Sequence, residues 1–514
     1  MQASVRRGTS AWEERERLRD KGQFCTPPWI ADAMVEFVLA SGSDHVFDPA
    51  VGPGAFLAAA KRTSASRGTK IALLGTELDP AALAQAGANG LAPEDLRGVC
   101  IADFLSAKLA GPYGAIVANP PYVRHHRLAA EVKQQLKAIA LRVLGTTLDG
   151  RAGLHVYFLL RALEVLRAGG RLAFILPADT FEGVFAPRLW SAIGRRYRIA
   201  ATVTFSPSAS PFPDMDTNPV IVFIENLRAS QTLYWVECQV SGTAGLAEWV
   251  AAGLGLARHP DLLIGVRSLE EALATGLSRP PRKTPPPMGK LGDFASVMRG
   301  IATGANAFFF LTSTQCARMG IAGEFLTRTI VRTRDVPGPV VDARLLEELE
   351  GAGRPTYLLS IDGRPLDALP AALQEYLRAG EAAGLHLRPL VASRRPWYKM
   401  ERRQAPPFLF AYLGRRKARF IQNQAGVIPS NNFICVYPRE GGEAYRQALW
   451  LLLQDPRVAA NLRLVGKSYG RGAIKVEPRA LEALPLPEEA LQHAGLRPAR
   501  GNQQRRFDFA QAVG

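Results

Sequence analysis

The chain has 514 residues, of which 47% are hydrophobic, and its formal net charge is +17. This length exceeds what one core usually supports and predicts two or three domains. No apolar run reaches the roughly 18 residues of a membrane span, and the charged segment Met1–Asp20 lacks the apolar stretch of a signal peptide. We therefore expect a cytoplasmic protein. The positive charge favours a polyanionic partner, although a basic compositional bias would also produce it.

The five cysteines are scattered and form no CxxC pair. This pattern predicts reduced thiols rather than a disulfide framework or a zinc site, and we expect no metal centre.

The first predicted elements surround a glycine-rich turn. Thr26 is expected to cap a helix that Pro27 and Pro28 open. A strand from His45 then ends at Asp48, and the sequence Asp48-Pro-Ala-Val-Gly-Pro-Gly54 turns the chain into a second helix. Glycines at such a strand–helix turn let the backbone approach a ligand closely. No Lys-Ser/Thr pair follows, which argues against a phosphate-binding P-loop.

The next two predicted strands also end in acids. The strand from Ile71 leads to Glu77, in the position where a carboxylate commonly accepts hydrogen bonds from ribose hydroxyls. A helix-cap carboxylate for the helix at Asp79-Pro80 is the alternative. The strand from Val99 leads to Asp103-Phe104, an acid and an aromatic ring that would suit an adenine ring.

The fourth predicted strand, Ala115–Ala118, stops at Asn119-Pro120-Pro121-Tyr122. Two consecutive prolines cannot donate to a sheet, and they hold the chain extended. The loop therefore presents an amide, a stiff carbonyl and an aromatic ring just beyond a strand's carboxyl end, where open α/β sheets bind ligands. We interpret it as a grip for a flat, amino-bearing base. The alternative is a proline-stiffened strand exit with a solvated Asn and a packed Tyr.

Helices and strands continue to alternate up to residue 226, which predicts a doubly wound α/β sheet. We expect a first domain over residues 1–228, a connecting region over 229–290 that includes a proline-rich linker, and a further domain over 291–514. A glycine-punctuated loop spans Val297–Asn306.

Basic and aromatic residues interleave over Ser393–Arg419, which suits a DNA-facing surface. A half-buried sheet with a solvated basic face is the alternative. The candidate DNA-binding residues are Arg394, Arg395, Trp397, Lys399, Arg415, Arg416 and Lys417.

In this order, the motifs resemble those of the TaqI-type (gamma) DNA adenine-N6 methyltransferases. The resemblance implies a Rossmann-like, seven-stranded methyltransferase sheet and a separate C-terminal α+β target-recognition domain. It implies that Asn119, the Pro120 carbonyl and Tyr122 hold a flipped adenine, with Phe212 as a second stacking aromatic and Phe205 as its rival. The residues implied to bind S-adenosylmethionine are Thr26, Asp48, Ala50, Gly52, Gly54, Glu77, Asp103, Phe104 and Asn119.

The resemblance further implies a monomer that methylates double-stranded DNA at a specific sequence within a restriction–modification or related defence system. A separately encoded restriction endonuclease or defence proteins would be its partners. Three alternatives stay open: a methyltransferase acting on RNA bases or a protein glutamine amide, an enzyme that fuses cutting and methylation, and a non-catalytic DNA-binding module.

Overall fold

The computed structural model describes residues 25–123, 130–148, 152–183, 185–212, 218–281, 289–411, 418–469 and 473–498. The chain divides into two compact units. The first comprises Met1–Arg282 with Ser468–Gly472, and the second comprises Lys283–Lys467 with Ala473–Gly514. Within the described ranges, every helix is too short or too polar to cross a membrane.

The first unit is built on a nine-stranded sheet with the strand order β3-β2-β1-β4-β5-β7-β6-β8-β9. The first five strands run parallel, while β7 is antiparallel to both β5 and β6. The strands are β1 (His45–Asp48), β2 (Ala72–Glu77), β3 (Val99–Ile101), β4 (Tyr113–Ala118), β5 (Leu166–Pro177), β6 (Arg198–Phe205), β7 (Pro219–Glu225), β8 (Thr232–Cys238) and β9 (Leu262–Ser268).

Helices cover both faces of this sheet, as a doubly wound fold requires. Two separate apolar cores result, one on each face, and every residue of β4 is buried between them. The helices are α1 (Pro28–Leu39), α2 (Ala55–Arg67), α3 (Pro80–Leu83), α4 (Ala130–Leu144), α5 (Leu154–Glu164), α6 (Asp179–Glu182), α7 (Ala186–Arg196), α8 (Gly245–Ala251) and α9 (Leu269–Thr275).

The predicted doubly wound sheet is confirmed, and two strands extend it beyond the seven expected. Strand β8 pairs in parallel with β6, and β9 pairs with β8. Both strands lie in the predicted connecting region 229–290, whose residues up to Arg282 thus belong to the first unit. Strand β8 joins the sheet at the side of β6 that β7 leaves unpaired, where an edge strand offers N–H and C=O groups to a partner. Most of the predicted proline-rich linker lies outside the described residues.

The second unit combines small sheets with helices. Its five-stranded sheet has the order β11-β19-β16-β17-β14, and its four-stranded sheet the order β12-β15-β13-β18. Its strands are β10 (Gly289–Lys290), β11 (Ala295–Arg299), β12 (Phe310–Leu311), β13 (Leu326–Ile330), β14 (Val340–Val341), β15 (Tyr357–Leu359), β16 (Phe408–Ala411), β17 (Arg419–Asn423), β18 (Ile428–Pro429), β19 (Phe433–Pro438), β21 (Ala473–Lys475) and β22 (Pro485–Leu486). Most of strand β20 (Lys467–Tyr469) is assigned to the first unit.

The helices from residue 289 onward lie beside these strands, so this part of the chain has the expected α+β composition. They are α10 (Asn306–Phe309), α11 (Ser313–Arg318), α12 (Ala343–Gly351), α13 (Ala371–Ala382), α14 (Pro389–Ala392), α15 (Glu443–Gln454), α16 (Pro456–Val465), α17 (Pro478–Glu482) and α18 (Glu488–His493).

Candidate active site

The glycine turn follows β1 and is fixed by a carboxylate from β2. Strand register pairs Asp48 with Gly75, so Glu77 lies just past the end of β1. Its Oε2 accepts a hydrogen bond from the Gly52 N–H at 2.7 Å, and its Oε1 accepts one from the Asp79 N–H at 2.8 Å. The carboxylate is nearly buried and thereby ties together two neighbouring strand ends.

The alternative role for Glu77, a helix cap, belongs to a different acid. The Asp79 side chain caps α3, because it accepts a hydrogen bond from the Ala81 N–H at 3.0 Å. The Glu77 side chain is therefore not needed as a cap for α3 and instead accepts the hydrogen bond from the glycine turn.

Two glycines with left-handed backbone shape the turn itself. Gly52 has φ +53° and Gly54 has φ +82°, values that L side chains rarely adopt. A Cβ on Gly54 would lie 2.5 Å from the Leu91 Cδ1, whereas one on Gly52 would meet no atom nearer than the Ala50 carbonyl oxygen at 4.0 Å. The side of the turn at Gly52 is therefore open to an approaching ligand.

Asp48, at the end of β1, is completely buried. Its Oδ1 accepts a hydrogen bond from the Ala50 N–H at 2.9 Å, but its Oδ2 has no hydrogen-bond partner among the described residues. Burial raises the pKa of this carboxyl to about 8, and the charge of Glu77 acts in the same direction. A buried acid in this state favours either a proton or a cationic group of a ligand.

The loop after β4 brings Asn119 to a residue from the start of the described chain. The Asn119 Nδ2 donates a hydrogen bond to the Thr26 Oγ1 at 3.3 Å. The expectation that Thr26 caps the first helix is wrong, because Pro27 occupies the cap position of α1 and no side chain caps it. Thr26 lies one residue too early to cap, and it contacts the loop instead.

The aromatic residue of this loop, Tyr122, contacts a ring from a later helix and packs against an apolar cluster. Tyr122 is half-buried, and its ring centroid lies 5.7 Å from that of His155, edge to face. Phe212 is 8% exposed and belongs to the same apolar cluster against which Tyr122 and Phe205 pack. Phe205 also contacts Trp29, with ring centroids 5.9 Å apart. Of the two candidates for the second stacking aromatic, Phe212 therefore belongs to the cluster, whereas Phe205 packs against it as Tyr122 does.

His155 was not among the sequence-predicted site residues. It lies in the first turn of α5, which begins just after the loop, and the Leu154 N–H donates to the Val123 carbonyl oxygen at 2.9 Å. Burial lowers the pKa of its imidazole to about 4, so the ring is neutral near pH 7. Its Nδ1 has no hydrogen-bond partner among the described residues. The available signal was a lone polar residue in the apolar run Leu154–Leu160.

The pair Asp103-Phe104 divides between surface and core. Asp103 is exposed, and its Oδ1 accepts a hydrogen bond from the Leu105 N–H at 3.0 Å. Phe104 is only 1% exposed, and its ring packs against Phe47 and Phe158. Phe104 thus contributes to the core beneath β1, in addition to any contact it could make with a ligand.

The predicted DNA-binding residues of the second unit also divide between exposed and buried positions. Arg395 and Lys399 are exposed, and Arg394 is half-buried. Trp397 is 9% exposed, and its indole N–H donates to the Glu381 Oε1 at 2.8 Å. This indole lies in a core rather than on the surface, because the rings of Phe308, Phe309 and Tyr398 enclose it. Arg415, Arg416 and Lys417 lie outside the described residues.

Two family models match the chain in succession. The N-6 DNA Methylase model matches residues 14–186, and the model for the C-terminal domain of type II methyltransferase M.Eco57I matches residues 283–511. The first match contains the glycine turn, Glu77 and the Asn119 loop. The second contains most of the second unit.

Curated relatives match over nearly the whole length. The type II methyltransferase M.AccI of Acinetobacter calcoaceticus is 23% identical over 93% of this chain and 87% of its own length. M.XamI of Xanthomonas campestris pv. amaranthicola is 25% identical over 92% of this chain and 86% of its own length.

Among solved structures, the type IIL restriction-modification enzyme MmeI in complex with DNA has the same fold. Its TM-score is 0.55 at 15% identity, and the match covers 97% of this chain and 67% of that one. The two family models and the two full-length relatives together support an N-6 DNA methyltransferase family, with residues 283–511 similar to the C-terminal domain of M.Eco57I.

Proposed function

We propose that this protein transfers a methyl group from S-adenosylmethionine to the N6 atom of adenine in double-stranded DNA. The observation that carries the proposal is the position of Asn119. It follows β4, next to β1 in the sheet, so the amide lies at the same sheet edge as the glycine turn and Glu77. The hydroxyl oxygen of Thr26, two residues before α1, accepts a hydrogen bond from the Asn119 amide N–H.

The residues at this edge fit S-adenosylmethionine. The open face at Gly52 admits a ligand, and the Glu77 carboxylate can accept hydrogen bonds from ribose hydroxyls. The partnerless Oδ2 of Asp48 suits a cationic group. Asp103, exposed at the end of β3, can accept a hydrogen bond from an adenine amino group. When bound, S-adenosylmethionine supplies an electrophilic methyl group on a positively charged sulfur.

The loop after β4 supplies the groups that would activate the target amine. The N6 nitrogen of adenine is a poor nucleophile, because its lone pair is delocalised into the ring. The Asn119 side-chain oxygen and the Pro120 carbonyl can each accept one of its N–H groups. These two hydrogen bonds favour a pyramidal nitrogen and stabilise the positive charge that develops on it. A rigid proline loop also holds the amine in position for attack.

The aromatic cluster would hold the base once it has left the duplex. Adenine N6 is paired inside duplex DNA, so the base must be flipped out at a cost of a few kcal/mol. Stacking on Tyr122 and on Phe212 or Phe205 offsets part of that cost. His155 supports the Tyr122 ring from its edge.

The second unit supports DNA as the substrate over RNA or a protein amide. A domain of the M.Eco57I type accompanies the catalytic motifs, and both curated relatives are type II methyltransferases. We propose that a separately encoded restriction endonuclease is the biological partner. A magnesium-dependent cleavage assay with the purified chain distinguishes this arrangement from an enzyme that also cuts, because a lone methyltransferase leaves the DNA intact.

The test is expression in a host that lacks adenine methylation, followed by sequencing of its DNA for N6-methyladenine. The wild type should modify adenines in one sequence context. Asn119→Ala should lose about 100- to 1,000-fold or more in turnover, because one acceptor for the developing charge is gone. S-adenosylmethionine binding, measured by calorimetry, should persist in this variant. Near-normal turnover of Asn119→Ala, or modification of cytosine only, would refute the proposal.

A further inference from the structure

A short loop in the second unit has the features of an anion-binding element. We call residues Gly300–Asn306 the glycine loop. It follows β11, and its base is pinned by two backbone hydrogen bonds: the Gly300 N–H donates to the Phe433 carbonyl oxygen at 3.0 Å, and the Ile301 N–H to that of Pro429 at 2.9 Å. A Cβ on Gly300 would lie 2.2 Å from the Ser430 carbonyl oxygen, so only glycine fits there.

Burial alternates along the glycine loop. Ile301, Thr303 and Ala305 are at most 3% exposed, whereas Ala302, Gly304 and Asn306 are exposed. The buried Thr303 hydroxyl donates to the Asn306 Oδ1 at 2.5 Å and accepts a hydrogen bond from the Ala305 N–H at 3.2 Å. Hydrogen bonds of the buried Thr303 thus stabilise the loop, and the exposed residues Ala302 and Gly304 have side chains too small to cover their own backbone.

The outward carbonyl oxygens are already occupied. The Arg394 Nη2 donates to the Ala302 carbonyl oxygen at 2.7 Å, and the Arg388 Nη1 donates to that of Gly304 at 3.4 Å. The N–H groups of Ala302 and Gly304 meet no acceptor within the described part of the chain. The acceptors of the loop are therefore covered by cations while two donors are left for a ligand, an arrangement that favours an anion.

The surrounding chain strengthens this preference. Residues 388–403 contain six basic residues and a single acid, Glu401. That acid forms an ion pair with Arg403, whose guanidinium also binds the Arg299 carbonyl oxygen. Arg388, Arg395 and Lys399 are exposed. The local charge around the glycine loop is consequently positive.

We propose that the glycine loop binds a backbone phosphate of duplex DNA through the N–H groups of Ala302 and Gly304, with Arg388 and Arg395 adding charge. The inference rests on the proposed function, which supplies DNA as the polyanion. Phosphate contacts position a protein on a duplex and carry no sequence information. The loop therefore sets the register of the second unit on DNA, while other residues read the bases.

The first test removes charge. Arg388→Gln/Arg395→Gln is compared with Arg344→Gln/Arg378→Gln, which removes the same charge from exposed sites on α12 and α13. Binding of the full chain to a fluorescein-labelled 20-base-pair duplex of arbitrary sequence is followed by anisotropy over a potassium chloride series. The slope of log affinity against log salt should fall by about two for the first variant and stay unchanged for the second. Equal slopes for the two variants would overturn the inference.

The second test removes one donor without changing charge. Ala302→Pro deletes an N–H that meets no acceptor among the described residues, and Ala322→Pro is the control, since Ala322 is exposed with φ −64° and thus accommodates proline. Ala302→Pro should weaken binding to every duplex about 10- to 100-fold, the loss expected for one hydrogen bond to a charged acceptor. Ala322→Pro should bind like the wild type. Equal affinities of the two variants would contradict the phosphate contact.

Thermal melts establish that each variant is folded, and the arginine pair decides the matter should Ala302→Pro fail to fold. The two proposals fail differently. If the wild type neither binds nor methylates duplex DNA, the proposed function is wrong. If it does both and the loop variants match their controls, only the phosphate loop is wrong.

Discussion

The strand-end loops of the first unit and the basic-aromatic segment of the second unit contrast in how their side chains are used. In the first unit, Glu77 and Asn119 lie at one edge of the sheet, as their positions after parallel strands require. In the second unit, Trp397 and Phe410 face apolar cores while Arg395 and Lys399 face solvent. A motif at a strand end is placed by topology, whereas alternation of basic and aromatic residues leaves open which set is buried.

The largest expected effect concerns the buried indole of Trp397. Trp397→Ala should lower the free energy of unfolding by about 3–5 kcal/mol, because a large side chain leaves a cavity among aromatic rings. Urea denaturation measures the change, and the exposed neighbour Arg395→Ala serves as a control expected to stay within about 0.5 kcal/mol of the wild type. A variant of full stability with weakened DNA binding would show that the ring contacts DNA instead, and the contrast between the units would vanish.

The next effect tests the first unit. Glu77→Gln should weaken S-adenosylmethionine binding by about 10- to 100-fold, since hydrogen bonds to a charged acceptor contribute about 1.5–3 kcal/mol. Glu94→Gln, at an exposed acid of the same unit, should leave binding unchanged. Calorimetry with the full chain measures both. Indistinguishable dissociation constants would mean that Glu77 only fixes the glycine turn.

The smallest expected effect is a pH dependence of the free energy of unfolding, caused by Asp48. Burial raises the pKa of its carboxyl from 3.8 to about 8. The folded protein therefore keeps a proton that the unfolded chain releases, and stability falls as pH rises through this window, by at most about 1.4 kcal/mol per pH unit. Urea unfolding at pH 5.5 and 7.5 should give a smaller difference for Asp48→Asn than for the wild type. If the two proteins lost the same stability between these pH values, a group other than Asp48 would be responsible for the pH dependence.

Sequence reasoning was strongest where chemistry and topology coincide. The four strands predicted to lead to Asp48, Glu77, Asp103 and Asn119 occur at their expected positions, and the ends of β1, β2 and β4 meet at one edge. The predicted positions of Asp48, Glu77 and Asn119 at strand ends followed from the apolar runs before them. Their roles toward cofactor and base stay predictions.

What sequence reasoning missed depends on contacts between distant segments. Thr26 was assigned to a helix cap, but it meets Asn119, 93 residues later. The pairing of β8 with β6 was not predicted, because a weak alternating pattern does not show which strand a segment will join. His155 was missed since only the folded loop brings it to Tyr122.

The tight approach of Gly300 to the Ser430 carbonyl has a consequence for engineering. A chimaera could take the glycine loop from one parent and residues 429–433 from another. The two backbone segments would then come from different proteins and could be spaced differently at this contact. A shift of a few tenths of an ångström there would disturb the hydrogen bonds that Gly300 and Ile301 donate to the carbonyl oxygens of Phe433 and Pro429. Chimaeras between relatives should therefore take residue 300 and residues 429–433 from the same parent.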